Sequence, residues 1–283
     1  MLDIFLVQME VAPNDKAKNF AKVEALTRDI RKEANDPVKG LIVLPEMFST
    51  GYLPLHPERA AEDFSSANAG ETACFLHGLA RQTGCVVMGS GIGAGNAVGD
   101  NAARGNAVKG NAARGNAAST NKLTNHTSVY TAESDREFAH YNKRKPFFME
   151  QGKFGAGQEI SLFKISDWQI APTVCFDLRF PEIYRDAVKL GANLFTVQAA
   201  WPEKRVAHWN ALLKARAIEN QAFVAGVNCI SSDKNYTGNS QIINPRGEVI
   251  AQARASEETV ISAQIDSEIV EKYRKEFPVL EGI

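Results

Sequence analysis

Residues 169–185 read "QIAPTVCFDLRFPEIYR" and contain the end of an apolar run, a sharp junction and the start of a helix. The apolar run ends on Cys175, and Pro181 stands where a helix can begin, because proline is well tolerated at the first helical position. A strand that turns into a helix in this way is typical of α/β architecture. At this junction Cys175 is either a small buried hydrophobic residue or a reactive thiol that is presented to a substrate.

The same alternation extends along the chain. The run "GLIVLPEMF" at 40–48 is continuously apolar and closes on Pro45, which is the pattern of a strand buried on both faces. Helical spacing predicts helices near 15–30, 71–83, 181–190 and 203–220, and twelve strands are predicted before a polar tail that begins near residue 266. Helices at both ends of a strand-rich centre predict a layered α/β sandwich with the sheets inside.

The region from about 93 to 124 differs in composition from the rest of the chain. Asn-Ala returns every five residues at 96, 101, 106, 111 and 116, with glycine between the copies. Such a repeat offers almost no large side chain to bury and shows no hydrophobic ladder for a solenoid. We therefore interpret 93–124 as a low-complexity Gly/Asn/Ala loop inserted between two strands.

Composition excludes several classes of function. Thirty-two basic and 33 acidic side chains leave a net charge of −1, so the chain lacks the global positive charge of a nucleic-acid-binding protein. No apolar run is as long as a membrane span, and the N-terminus lacks the pattern of a secretory signal. These two features predict a cytoplasmic protein, in which the glycosylation sequon at Asn125 would not be used. The four cysteines and five histidines lack metal-ligand spacing, so no metal site is predicted.

Four residues at predicted strand ends and loops are candidates for catalysis. Cys175 is a nucleophile candidate, because the helix that follows it directs free N–H groups, including that of Phe176, towards the junction and favours a thiolate or an oxyanion. Glu46 directly follows the buried run "LIVLP", as a rigid general base requires. Lys143 ends a predicted strand and can stabilise a developing negative charge, and Glu150 can orient that lysine or the thiol.

Together, "LPEMFSTGY", "YNKRKPF" and "CFDLRFPE" resemble the nitrilase, or carbon–nitrogen hydrolase, superfamily and match the blocks of its Glu–Lys–Cys triad in chain order. Later blocks extend the resemblance from Met1 to about residue 265, and "QAAWPEKRVAHW" resembles the omega-amidase branch. The 93–124 repeat has no counterpart in the family pattern. The loop after Lys143 also departs from that pattern. Glu150 lies in this loop and is matched to the second glutamate of the family.

The resemblance implies a single 1–283 domain with an αββα sandwich fold that forms an αββα-αββα homodimer and needs no cofactor. It implies that Glu46 and Cys175 cleave the terminal amide of a small carboxylate-bearing substrate through a thioester, with Lys143 and the Phe176 N–H holding the oxyanion. Arg179 and Tyr52 are candidates for binding the carboxylate, and Trp201 for the pocket wall. Arg179 and Tyr52 both have the alternative of a structural role, in which Arg179 pairs with Asp177 or another acid. The competing functions are a nitrilase, an N-carbamoyl amino acid hydrolase, and a non-catalytic interaction protein.

Overall fold

Two six-stranded sheets form the centre of the protein, whose computed structural model describes residues 1–30, 40–94 and 122–282. In the first sheet the strands follow the order β12 (Thr259–Ile265), β1 (Leu2–Gln8), β2 (Gly40–Val43), β3 (Val86–Gly93), β4 (Thr124–Tyr130) and β5 (Ala139–Asn142). In the second they follow the order β11 (Val249–Gln252), β10 (Gln241–Ile243), β9 (Phe223–Asn228), β8 (Leu194–Ala199), β7 (Trp168–Val174) and β6 (Phe163–Ile165).

Five α-helices lie along the described chain. They are α1 (Lys16–Thr27), α2 (Glu71–Thr83), α3 (Pro181–Lys189), α4 (Val206–Asn220) and α5 (Ser267–Glu276). Three short 3₁₀ helices accompany them, at Pro57–Arg59, Cys175–Arg179 and Glu203–Arg205. The last of these precedes α4, so the helix predicted near 203–220 begins with a 3₁₀ turn.

Side chains of β1 show why the protein has four layers. Ile4 and Leu6 point into a core shared by both sheets, whereas Phe5 and Val7 pack on the other face with Val23 of α1. This alternation follows from the two-residue period of a strand, and the strand is continuously apolar from Ile4 to Val7 because both of its faces are buried there. A third core joins the outer face of the second sheet to α3 and α4. The predicted αββα sandwich is confirmed.

The prediction of a polar tail after residue 265 was wrong, because this segment forms α5. Asp266 caps the helix by accepting a hydrogen bond from the Glu268 N–H, Val270 is buried, and Arg274 donates to the carbonyl oxygen of Ala192. The charged composition gives little sign of a helix in the sequence, since Val270 is the apolar side chain of α5 that is buried and the long Arg274 side chain reaches the core.

Most of the predicted 93–124 insertion, residues 95–121, lies outside the described residues. Its two ends belong to neighbouring strands: Gly93 of β3 and Thr124 of β4 are register partners in an antiparallel pair. In the described ranges, no helix combines the length and apolarity needed to cross a membrane.

Candidate active site

Three predicted site residues lie close together although they are far apart in sequence. Glu46 follows β2, Lys143 follows β5 and Cys175 follows β7, so each stands just beyond the carboxyl end of a strand. The packing of the two sheets brings these strand ends together, and all three side chains are buried. A charged cluster beside a thiol in this position is a typical functional site of an α/β protein.

The Glu46 carboxylate is held by three donors. Its Oε1 accepts from Lys143 Nζ at 2.8 Å and from Asn125 Nδ2 at 2.8 Å, and its Oε2 accepts from the Ala200 N–H at 2.9 Å. These hydrogen bonds satisfy both oxygens of the buried carboxylate and compensate its burial. The group is therefore held in one rigid orientation.

Lys143 bridges Glu46 and Glu150. Its Nζ lies 3.0 Å and 2.9 Å from the two carboxylate oxygens of Glu150, which also accepts from the Phe147 N–H. Burial alone lowers the pKa of Lys143, but the neighbouring negative charges outweigh it and raise that pKa, so the ammonium stays charged. Burial raises the pKa of Glu150, which Lys143 opposes and the charge of Glu46 reinforces. The structure thus brings Glu150 into the same cluster.

Cys175 occupies a strained backbone position at the start of its 3₁₀ helix. Its φ of +46° is in the left-handed region, which a non-glycine residue adopts only when its surroundings impose it. Its side chain is 8% exposed, and Sγ lies 3.9 Å from the Ala200 carbonyl oxygen. The turn therefore aims the thiol at the carboxylate cluster.

The expectation that the following helix acidifies this thiol was wrong. Burial raises the pKa of Cys175 well above its ordinary value, and the charge of Glu46 raises it further, while Lys143 opposes both. Helix α3 begins only at Pro181, after the intervening 3₁₀ helix. A thiol whose pKa is raised in this way becomes a nucleophile only when a base removes its proton.

Asp177 fixes the turn that carries the thiol. Its carboxylate accepts from the Tyr141 hydroxyl at 2.7 Å, the Lys145 N–H at 2.8 Å and the Val174 N–H at 3.0 Å, and burial raises the pKa of Asp177 to about 6. These contacts leave Phe176 in the first turn of the 3₁₀ helix, where backbone N–H groups have no partner within the helix. The Phe176 N–H can therefore serve an oxyanion.

The three residues predicted to bind substrate also surround the cluster. The Tyr52 ring centroid lies 5.8 Å from Lys143 Nζ, and burial raises the pKa of the Tyr52 hydroxyl. The Arg179 guanidinium stacks on Trp201, with Cζ 4.7 Å from the ring centroid, and its Nη2 lies 3.3 Å from His208 Nδ1. Arg179 makes no ion pair with Asp177, so the structural pair considered as an alternative is not formed.

Sequence reasoning missed Asn125 as a member of the site. This buried residue of β4 donates through Nδ2 to Glu46 at 2.8 Å and to Glu150 at 2.9 Å, and so ties the two carboxylates together. An asparagine beside a low-complexity repeat gives no signal of such a role, because its partners come from other strands and loops.

The described ranges contain no group of three or more histidine, cysteine or acidic side chains placed to hold a metal ion. The cluster itself offers a buried thiol, a carboxylate and an ammonium. Lys143 donates to Glu46 and to Glu150, and because an ammonium carries three hydrogens it can also donate to an oxygen of a substrate.

Comparison with known proteins identifies the family. The carbon–nitrogen hydrolase family model matches residues 4–275. The chain is 34% identical to omega-amidase YafV of Escherichia coli, over 85% of this chain and 82% of that protein, and 30% identical to 2-oxoglutaramate amidase of Bacillus subtilis, over 99% and 96%.

Solved structures agree with the sequence relatives. A CN-hydrolase superfamily protein from Xanthomonas campestris, with an arsenic adduct in its active site, is 28% identical and superposes with a TM-score of 0.78 over 99% of this chain and 96% of that one. Nit3 of Saccharomyces cerevisiae, a nitrilase superfamily member that is 22% identical, shares the fold with a TM-score of 0.82 over 99% and 96%. The chain belongs to the carbon–nitrogen hydrolase family.

Proposed function

We propose that this protein is a cysteine-dependent omega-amidase that hydrolyses the terminal amide of a small carboxylate-bearing substrate to the acid and ammonia. The observation that carries this proposal is the clustering of a buried thiol, a buried carboxylate and a charged lysine at Cys175, Glu46 and Lys143. Relatives named omega-amidase and 2-oxoglutaramate amidase support the substrate class. Short 2-oxo acid amides such as 2-oxoglutaramate or 2-oxosuccinamate are the substrates we propose.

In the first half-reaction, Glu46 accepts the proton of the Cys175 thiol as Sγ bonds to the amide carbon. The raised pKa of this thiol makes the base necessary, and Glu46 is the buried carboxylate whose charge acts on the thiol. The oxyanion that forms is held by a hydrogen of Lys143 Nζ and by the Phe176 N–H. Glu46 then returns its proton to the nitrogen, the carbon–nitrogen bond breaks, and ammonia leaves a thioester on Cys175.

In the second half-reaction, water replaces ammonia. Glu46 takes a proton from the water as its oxygen attacks the thioester carbon, and the same two donors hold the second oxyanion. The carbon–sulfur bond then breaks, the proton returns to Sγ, and the acid is released. The enzyme ends in its starting protonation state, so the cycle requires no cofactor.

Glu150 and Asn125 act through the other groups. Both touch the residues that react, because Glu150 binds Lys143 and Asn125 binds the Glu46 carboxylate. We assign them the role of holding the lysine and the base in register. Tyr52 lies against Lys143 and Arg179 stacks on Trp201, and we assign these three residues to substrate binding. A homodimer and a cytoplasmic location are further parts of this proposal and rest on membership of the family.

The experiment measures ammonia release from four compounds of matched length: a 2-oxo acid omega-amide, its methyl ester, the corresponding nitrile and an N-carbamoyl amino acid. We expect the free-acid amide to have the highest kcat/KM, and the Cys175→Ala protein to release no ammonia. Nitrile turnover equal to that of the amide would refute the amidase assignment. Equal turnover of the ester and the free acid would refute recognition of the carboxylate.

A further inference from the structure

Two arginines lie on the same side of the site and are linked through Trp201. Arg179 closes the 3₁₀ helix that begins at Cys175, and Arg205 closes the 3₁₀ helix at Glu203–Arg205. Arg179 stacks on the Trp201 ring, and the Trp201 Nε1–H donates to the Arg205 carbonyl oxygen at 2.7 Å. The Arg205 Cζ lies 5.9 Å from the ring centroid of Phe147. Aromatic faces thus position both guanidinium groups, and apart from the Arg179 Nη2 contact with His208 Nδ1 their N–H groups remain available to a ligand.

These two cations have no carboxylate partner in residues 1–30, 40–94 and 122–282. Neither Arg179 nor Arg205 forms an ion pair there, whereas the buried Lys143 pairs with both Glu46 and Glu150. Burial, and then the positive charge of Arg205, lower the pKa of Arg179. Like charges held together raise the free energy of the protein, and a bound anion removes that cost.

The charges deeper in the site have the opposite sign. Lys143 contributes one positive charge there, against the two carboxylates of Glu46 and Glu150. A substrate carboxylate is therefore repelled from the thiol and attracted to the two arginines. This polarity orients an omega-amide with its neutral amide at Cys175 and its charged end at the arginines.

We propose that Arg205 joins Arg179 in a two-guanidinium clamp that binds the 2-oxo carboxylate end of the substrate and rejects the 2-amino analogue. The inference rests on the proposed function and names the residue that sets its specificity. A 2-oxo acid offers three oxygen acceptors in one plane, which suits two planar forks of donors. The 2-amino analogue replaces one acceptor with an ammonium group, which both arginines repel. The clamp therefore distinguishes a 2-oxo acid amide from an amino acid amide of the same length.

The test replaces Arg205 by Gln and by Lys and uses Lys204→Gln as the matched control. Lys204 is the exposed neighbour on the same 3₁₀ helix, so its replacement removes the same long-range charge without touching the clamp. Three substrates are compared: a 2-oxo acid omega-amide, its 2-amino analogue and a neutral primary amide of equal length. Calorimetry also measures binding of the 2-oxo acid amide to Cys175→Ala proteins with and without Arg205→Gln.

We expect Arg205→Gln to lower kcat/KM for the 2-oxo acid amide by roughly 10- to 100-fold, mainly through KM, because a charge-assisted hydrogen bond is lost. Turnover of the neutral amide should stay within about twofold. The ratio of kcat/KM for the 2-oxo compound to that for the 2-amino compound should decrease. Arg205→Lys keeps the charge but lacks the planar pair of N–H donors, so its kcat/KM should lie between those of the wild type and Arg205→Gln. Lys204→Gln should match the wild type.

The clamp would be overturned if Arg205→Gln left the KM for the 2-oxo acid amide unchanged. It would also be overturned if the variant lost as much kcat/KM with the neutral amide as with the 2-oxo acid amide, because a purely structural role of Arg205 gives that result. These outcomes differ from a failure of the proposed function. If the wild type does not turn over the 2-oxo acid amide but binds it in an Arg205-dependent way, the function is wrong and the clamp stands. If turnover is efficient and indifferent to Arg205, the function stands and the clamp is wrong.

Discussion

Replacing Glu46 by Gln separates the acidity of the thiol from the turnover of the enzyme. Glu46 is the base we propose, and after burial its charge is the largest cause that raises the pKa of Cys175. The substitution removes both properties. We therefore expect amide hydrolysis to fall by roughly 10²- to 10⁴-fold, the usual contribution of a general base, while the pKa of the thiol moves down.

The hydrogen bonds of Glu46 set the expected loss of stability. A glutamine has one carbonyl oxygen, and in the orientation that keeps the Lys143 and Asn125 contacts its NH₂ group faces the Ala200 N–H. Two opposed donors leave a buried polar group unsatisfied, at a cost of about 1–3 kcal/mol. The melting temperature should fall by roughly 2–12 °C, which leaves the protein folded in the assay.

The assay follows ammonia release and, separately, alkylation of the thiol by iodoacetamide as a function of pH. Cys74 is exposed and would react as well, so all proteins carry Cys74→Ala. The matched control is Glu62→Gln, which removes a carboxylate that binds Lys16 and Thr72 away from the cluster. That control should lose stability and keep turnover.

We expect Glu46→Gln to show an alkylation midpoint at lower pH than the parent, together with the loss of hydrolysis. Turnover within about fivefold of the parent would refute the role of Glu46 as the base, because a general base contributes at least 10²-fold. An alkylation midpoint that moves to higher pH would refute the reasoning that its charge opposes the thiolate.

Three further predictions concern the nucleophile, the insertion and an ionisable cluster. Cys175→Ala and Cys175→Ser should both fold and both lose ammonia release, because a serine hydroxyl is far less acidic than a thiol; normal turnover by either excludes the covalent route. Because Gly93 and Thr124 are register partners, replacing 95–121 by Asn-Gly should close a hairpin and leave Tm and kcat nearly unchanged, whereas a collapse of either contradicts a dispensable insertion. Burial alone would raise the pKa of Glu137, but the neighbouring His126 and His140 lower it to about 2. The stability that ionised Glu137 contributes should therefore be complete above pH about 4.5 and disappear as the pH falls towards 2. The measurement is the melting temperature as a function of pH. If the melting temperature of Glu137→Gln falls as steeply over this range as that of the parent, the coupling is contradicted.

The sequence by itself determined the architecture and the strand ends that carry the reactive groups. The buried run before Glu46 and the strand–helix junction at Cys175 are local patterns, because a strand buried on both faces needs a continuous apolar segment. The bounds of the helix at 71–83 are local in the same sense, since Gly84 ends it in the left-handed conformation. These features need no information from distant parts of the chain.

Only the tertiary structure decided which groups share the site and what charge they bear. Asn125 becomes the link between two carboxylates because β4 lies beside β3 and β5. Arg179 is connected to the segment of Arg205 because it stacks on Trp201, whose Nε1–H donates to the Arg205 carbonyl oxygen. The sign of the thiol pKa shift was likewise wrong from sequence. A helix start after Cys175 suggested a lowered pKa, whereas burial and the charge of Glu46 raise it. Burial and the approach of a distant charge arise only when separate segments pack together, and for these groups they outweigh the effect of any sequence neighbour.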